Sequence, residues 1–83
     1  MNKVLVKLYV PAIEQQYEIL IPLNKKIYDI IILLTKGIND LYEEEYNPTE
    51  MPNLYNKLTC QNYDINLRVC DTDIRNATEL ILI

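Results

Sequence analysis

Residues 23–41 constrain the fold more than any other part of this sequence. Their apolar side chains recur every three or four positions, the spacing that places side chains on one side of an α-helix. These apolar residues are Ile27, Ile30, Ile31, Leu34, Ile38 and Leu41. A stripe about 100° wide predicts an amphipathic helix that lies on a hydrophobic core. Asn24 is a residue type that caps helices, so we expect the helix to begin there.

The residues before this helix predict a β-hairpin. Residues 3–10 alternate between two faces and are rich in β-branched side chains, as in a strand. Its even-numbered positions are expected on the core: Val4, Val6, Leu8 and Val10. Residues 16–22 resume the alternation after an interruption at 11–15, which is the expected connection. Leu20 breaks the polar face of the second strand, and we interpret it as a single surface leucine.

The residues that follow the helix predict a loop and then short extended segments. Residues 43–50 open with a run of glutamates and contain a proline, so they predict an exposed acidic connection. Residues 53–57 have the composition of a short strand. Residues 58–67 are polar and irregular, and they are compatible with a second short strand.

The end of the sequence predicts a turn and an interior strand. Asp71, Thr72 and Asp73 have side chains that can bond their own backbone, so 69–74 predicts a tight turn. Residues 79–83, ELILI, carry apolar side chains on both faces, which favours a strand with neighbours on both sides. The order predicts an α+β fold in which a mixed four- to five-stranded sheet packs on one helix. We expect residues 1–83 to form a single domain.

This order of elements resembles the β-grasp fold of ubiquitin. The pattern Val69-x-Asp71-x-x-Ile74, followed six residues later by Leu80-x-Leu82, resembles the hydrophobic turn that leads into the last ubiquitin-like strand. Within that superfamily the chain is most similar to the small YukD-like proteins, which are encoded with bacterial type VII (ESX/WXG-type) secretion systems. The resemblance implies a cytosolic ubiquitin-like domain that serves the secretion apparatus as an accessory or regulatory component.

Composition excludes several classes of function. The net charge is −4 with no basic run, which argues against binding to nucleic acid or to anionic membranes. The longest apolar run, 30–34, is far shorter than the roughly 20 residues that span a bilayer, so we expect no membrane insertion. Histidine is absent, so the commonest general base and metal ligand is missing. Cys60 and Cys70 therefore lack a histidine base to activate them, and we expect reduced thiols in a cytoplasmic protein.

Metal binding and modifier chemistry find little support in the sequence. The segment around Asp71 and Asp73 lacks the further acidic ligands and the glycine of a calcium loop, so we expect no metal and no cofactor. An alternative from another class is a ubiquitin-like modifier or sulfur carrier. The resemblance implies that such chemistry needs a flexible Gly-Gly tail, and the sequence ends at Leu82-Ile83, so this alternative requires a longer precursor. A β-grasp interaction domain unrelated to secretion is a third hypothesis.

Surface binding is therefore the expected function, without catalysis. By resemblance, ubiquitin-like domains bind partners through the sheet face opposite the helix. If Leu80 and Leu82 face the helix, the residues between and after them face outward. The predicted protein-binding patch consists of Tyr9, Tyr55, Ile81 and Ile83, with Leu5 at its edge.

Two further surfaces are candidates for contact. Ile32 lies away from the apolar stripe of the helix, where a single exposed isoleucine usually has no special role. Seven tyrosines and an unpaired sheet edge, expected at the second strand, are compatible with a homodimer. The resemblance implies that the partner is a cytosolic part of the secretion machinery.

Overall fold

A computed structural model describes residues 2–41, 46, 48 and 50–83. Its helix and strands follow the chain as β1 (Lys3–Val10), β2 (Gln15–Pro22), α1 (Ile27–Leu41), β3 (Leu54–Asn56) and β4 (Glu79–Leu82). The four strands form one sheet in the order β2-β1-β4-β3, with β1 and β4 parallel and the other neighbours antiparallel. The predicted α+β class, with a mixed sheet packed on one helix, is confirmed.

The predicted hairpin forms, with its even-numbered β1 positions buried as expected. β1 and β2 are paired along their whole length, from Lys3 with Pro22 to Val10 with Gln15. A single 3-10 turn over Pro11–Ile13 connects them. Glu14 closes the turn at φ 53°, and its N–H donates to the carbonyl of Pro11 at 3.2 Å.

The apolar stripe of α1 forms the helix side of the core. Its buried members are Ile27, Ile30, Ile31, Leu34 and Ile38. Leu41 shares their angle around the helix, but it is 69% exposed, so its expected place in the core is wrong. Leu41 is the last residue of α1, whereas the buried members of the stripe end at Ile38, one turn earlier.

The start of α1 corrects the predicted cap. α1 begins at Ile27 rather than directly after Asn24. The N–H groups of Ile27 and Tyr28 donate to the carbonyls of Leu67 and Ile65, at 2.8 and 3.1 Å. A loop that is distant in sequence therefore satisfies donors that an N-cap side chain would otherwise serve. The prediction of Asn24 as the N-cap is wrong because local residue preferences cannot include that loop.

The terminal strand β4 is interior, between β1 and β3, as predicted. The second short strand with which 58–67 is compatible does not form, and that segment contributes one isolated bridge, between Asn62 and Tyr55. Much of the predicted acidic connection (43–45, 47 and 49) lies outside the described residues.

The predicted turn at 69–74 forms as a 3-10 turn over Val69–Asp71 and the residues after it. The Thr72 hydroxyl donates to the carbonyl of Val69 at 2.7 Å and accepts from the N–H of Ile74 at 3.2 Å, as expected. Asp73 instead accepts a bond from the hydroxyl of Tyr63, at 2.6 Å. The prediction that Asp73 bonds its own backbone is therefore wrong.

A buried polar network fastens the loop after β3 to the sheet. Asn56, 8% exposed, donates from Nδ2 to the Tyr63 hydroxyl at 3.0 Å, and that hydroxyl donates to Asp73. The Oδ1 atom of Asn56 accepts from the N–H groups of Leu58 and Thr59, at 2.9 and 3.1 Å. Every polar group of the Asn56 side chain thus has a partner, so its burial is compensated.

This network predicts a specific pH dependence of stability. Burial, together with the bond to Asp73, raises the pKa of Tyr63 from 10.0 to about 12. The folded protein therefore holds this proton more tightly than the unfolded chain, and the resulting stability, present below pH 10, is lost as the pH rises towards 12. We expect Tyr63→Phe to destabilise the fold by about 1 kcal/mol at neutral pH. The difference in unfolding free energy between the wild type and Tyr63→Phe should shrink as the pH rises from 10 towards 12.

Urea unfolding of the wild type and of Tyr63→Phe at a series of pH values measures that difference. Tyr28→Phe is the matched control, because Tyr28 is 44% exposed and its hydroxyl lies outside the network. A Tyr63→Phe deficit that is constant across the alkaline window would contradict the expected proton linkage.

Candidate protein-binding face

The sheet face turned away from α1 is called here the outer face. It carries the odd-numbered residues of β1, β3 and β4 and the even-numbered residues of β2, because side chains alternate along strands. On the opposite face, Leu8, Leu54 and Leu80 are completely buried against the helix side. The outer-face side chains are half-buried or exposed, so this surface is open to solvent.

The outer face brings the predicted patch residues together. Tyr9 on β1, Ile81 on β4 and Tyr55 on β3 are direct cross-strand neighbours, and all three are half-buried. Ile83 follows two positions after Ile81 on the same side and is 59% exposed. We call Tyr9, Tyr55, Ile81 and Ile83 the aromatic patch. A hollow of about 260 Å³ lies along it, lined by the last three of these residues together with Asn56 and Cys60.

A row of alternating charges borders the aromatic patch. Lys7 on β1 pairs with Glu18 on β2 and with Glu79 on β4. Lys57 continues the row past β3, with its N–H bonded to the carbonyl of Glu79 at 2.9 Å. Its Nζ atom lies 3.9 Å from Glu79 Oε1 and 5.8 Å from the ring centre of Tyr9. We call Glu18, Lys7, Glu79 and Lys57, in spatial order, the charged row.

The far side of the charged row carries an apolar pair that sequence reasoning missed. Leu5 and Leu20 are directly opposite each other on β1 and β2, 41% and 57% exposed. Leu5 was expected at the edge of the aromatic patch, but it lies four residues before Tyr9, about 13 Å along the strand. Leu20 was interpreted as a single surface leucine. Counting pairs back from the hairpin connection would have identified this pair.

The described residues were also compared with the requirements of a metal site, a disulfide and a membrane-spanning helix. Among the described residues, no group of three or more cysteine, aspartate and glutamate side chains could hold a metal ion. Cys60 and Cys70 are exposed and are not joined by a disulfide. None of the helices in the part of the chain that the structure describes has the length and apolar character needed to cross a membrane.

Comparison with known proteins gives no match in sequence. No protein-family model matches the chain, and no curated protein matches it either. Solved structures, in contrast, include many similar folds.

Ubiquitin-like domains are prominent among these folds. One belongs to an Arabidopsis thaliana protein and superposes with a TM-score of 0.73 at 13% identity, covering 100% of this chain and 78% of that one. Another is the ubiquitin-like domain of the Mycobacterium tuberculosis type VII secretion system protein ECCD1, with a TM-score of 0.68 at 11% identity, covering 100% and 99%. These likenesses, at such low identity, establish the ubiquitin-like β-grasp fold.

The same fold also occurs in a different setting. A chain of the toluene 4-monooxygenase HD complex, solved with the inhibitor 4-bromobenzoate, superposes with a TM-score of 0.75 at 7% identity. That match covers 96% of this chain and 95% of the other. Because one fold serves such different proteins, function has to be argued from the surface of this chain.

Proposed function

We propose that this protein is a non-catalytic, cytoplasmic ubiquitin-like adaptor that acts by binding another protein through its outer face. The observation that carries the proposal is the aromatic patch, where Tyr9, Ile81 and Tyr55 lie side by side across three strands. Tyrosine is enriched at protein interfaces, because its ring buries apolar area while its hydroxyl keeps a polar partner.

The setting that we propose is a bacterial type VII secretion system, with this chain as a YukD-like accessory or regulatory protein. The observation that supports it is the likeness in fold to the ubiquitin-like domain of the type VII secretion protein ECCD1, together with the resemblance of the sequence to YukD-like proteins. The partner would then be a cytosolic part of the secretion machinery, and the cytosolic domain of its membrane ATPase is the first to test. A gene neighbourhood with that ATPase and with WXG-type substrates would separate this role from that of a general β-grasp interaction domain.

A double substitution in the aromatic patch tests the binding surface. Ile81→Asp with Tyr55→Ala removes two anchors and introduces a charge into the centre of the patch. We expect it to weaken binding to the ATPase domain by at least about 100-fold, since central interface residues each contribute about 2 kcal/mol or more. Isothermal titration calorimetry measures the affinity, and a thermal melt confirms that the variant is folded.

Ile32→Asp with Leu33→Ala is the matched control on α1, where both residues are exposed, at 46% and 54%. It should leave the affinity unchanged. Full affinity in a folded variant of the aromatic patch would exclude that patch as the binding surface. Loss of binding in the helix control instead would move the interface to α1.

A further inference from the structure

We propose that the outer face also binds a second copy of this chain, forming a two-fold symmetric dimer. The order of signs in the charged row favours such a dimer. Read across the sheet, the row is acidic, basic, acidic, basic, so the reversed row is basic, acidic, basic, acidic. Two such rows that face each other in opposite directions place every charge against its opposite.

Symmetry fixes how the two copies face each other. A two-fold axis parallel to the strands reverses the strand order, so β1 of one copy faces β4 of the second copy, and β2 faces the end of β3. Lys7 then lies opposite Glu79 of the second copy. Glu18 lies opposite the backbone position of the second copy's Lys57, whose Nζ atom, 5.8 Å from the ring centre of Tyr9 in the single copy, would turn outward to meet it. An axis along the charged row would place each residue opposite itself, with like charges in contact. The charges therefore favour the first arrangement, because like charges in apposition are costly.

The apolar residues fit the same arrangement. The axis that pairs the charges also places Ile81 opposite Tyr9 of the second copy, and the reverse contact follows from symmetry. Two sheets stacked with their strands nearly aligned form a common packing mode, at a separation of about 10 Å. The dimer would thus bury the aromatic patches of both copies against each other, with the two facing charged rows along one side of them.

The dimer should be weak and should regulate access to the outer face. Four strands make a face only about 15 Å wide, so the buried area falls at the low end of protein interfaces. The net charge of −4 on each copy opposes unspecific association, whereas the charged row is neutral and attracts only a matching row. A dimer of this kind covers the aromatic patch until dilution or a tighter partner releases it. Self-association does not depend on the proposed secretion partner.

Charge reversal tests this dimer with purified protein alone. Lys7→Glu would place an acidic side chain opposite Glu79 of the second copy, and Glu79→Lys would place a basic one opposite Lys7. We expect each variant by itself to dimerise at least tenfold more weakly than the wild type. An equal mixture of the two should dimerise again, because every facing pair in the mixed dimer has opposite signs.

Gel filtration with light scattering over a range of protein concentrations measures the mass, and therefore the extent of dimerisation, of the wild type, of each variant and of the mixture. The matched controls are Lys36→Glu and Asp40→Lys on the exposed side of α1. They change the net charge by the same amounts as Lys7→Glu and Glu79→Lys, and each should dimerise like the wild type. If either reversal unfolds the chain in a thermal melt, the second complementary couple, Glu18→Lys with Lys57→Glu, makes the same test.

Three results would overturn the proposal. They are a wild-type mass that stays at 9.8 kDa at every concentration, reversal variants that dimerise like the wild type, or a mixture that stays monomeric. Because no secretion protein is present, failure here would leave the partner-binding role standing. Loss of partner binding in the patch variant would not by itself argue against the dimer.

Discussion

Replacing Ile30 with alanine is expected to lower the free energy of unfolding by about 3–4 kcal/mol, the usual cost of truncating a fully buried isoleucine to alanine. Ile30 is 1% exposed and lies in the middle of the buried stripe of α1. A domain of this size is stable by only roughly 5–10 kcal/mol, so the variant should lose a large share of its stability. We expect its melting temperature to fall by roughly 15–20 °C.

Ile32→Ala is the matched control for this result. It makes the same chemical change two positions further along the same helix, where the side chain is 46% exposed. Both variants gain the same helix propensity from alanine, so their difference isolates burial. The control should change stability by no more than about 0.5 kcal/mol. Equal losses in the two variants, measured by thermal and urea unfolding, would contradict the assignment of the core face.

Asn56→Ala is expected to cost about 2–3 kcal/mol, because it leaves buried hydrogen-bonding groups without partners. The substitution removes the acceptor of the Leu58 and Thr59 N–H groups and the donor to the Tyr63 hydroxyl. The loop after β3 would then lose the side chain that anchors it. Urea unfolding at neutral pH gives the change in free energy.

Asn53→Ala tests whether the effect belongs to the buried network. Asn53 is exposed, and it bonds to Ile83 only through backbone groups, at 2.7 and 3.0 Å, so truncation of its side chain leaves those bonds intact. We expect a change of about 0.5 kcal/mol or less. A loss below 1 kcal/mol in Asn56→Ala would show that water replaces the bonds of Asn56 at little cost.

Periodicity was sufficient for most of the fold. The spacing of Ile27 to Ile38 and the alternation of Val4 to Val10 each report which face of one element is buried, and both are local properties of the sequence. The start of α1 could not be predicted in this way. Its first donors are satisfied by carbonyls about 40 residues later in the chain, and side-chain preferences near Asn24 contain no information about that contact.

The candidate site was predictable only in part, for the same reason. Alternation in β4 placed Ile81 and Ile83 on the outer face, and the prediction that this face binds partners came from the resemblance to ubiquitin-like proteins alone. The pair of Leu5 with Leu20 lies within the hairpin, so its register follows from the turn length and could have been predicted. The charged row also depends on the parallel pairing of β1 with β4, which brings Lys7 opposite Glu79 from far along the chain and which no single segment specifies.

The most direct test of the proposed role is to map the binding surface by NMR. Isotope-labelled protein would be titrated with the cytosolic domain of the membrane ATPase from the same secretion system, at a concentration where the free protein is monomeric. Binding through the outer face predicts that amide shifts change in β1, β3 and β4, strongest at Tyr9, Tyr55 and Ile81, while the exposed side of α1 around Ile32 stays unchanged. Shift changes confined to α1, or no change at saturating ATPase domain, would contradict the proposal that this face carries the function.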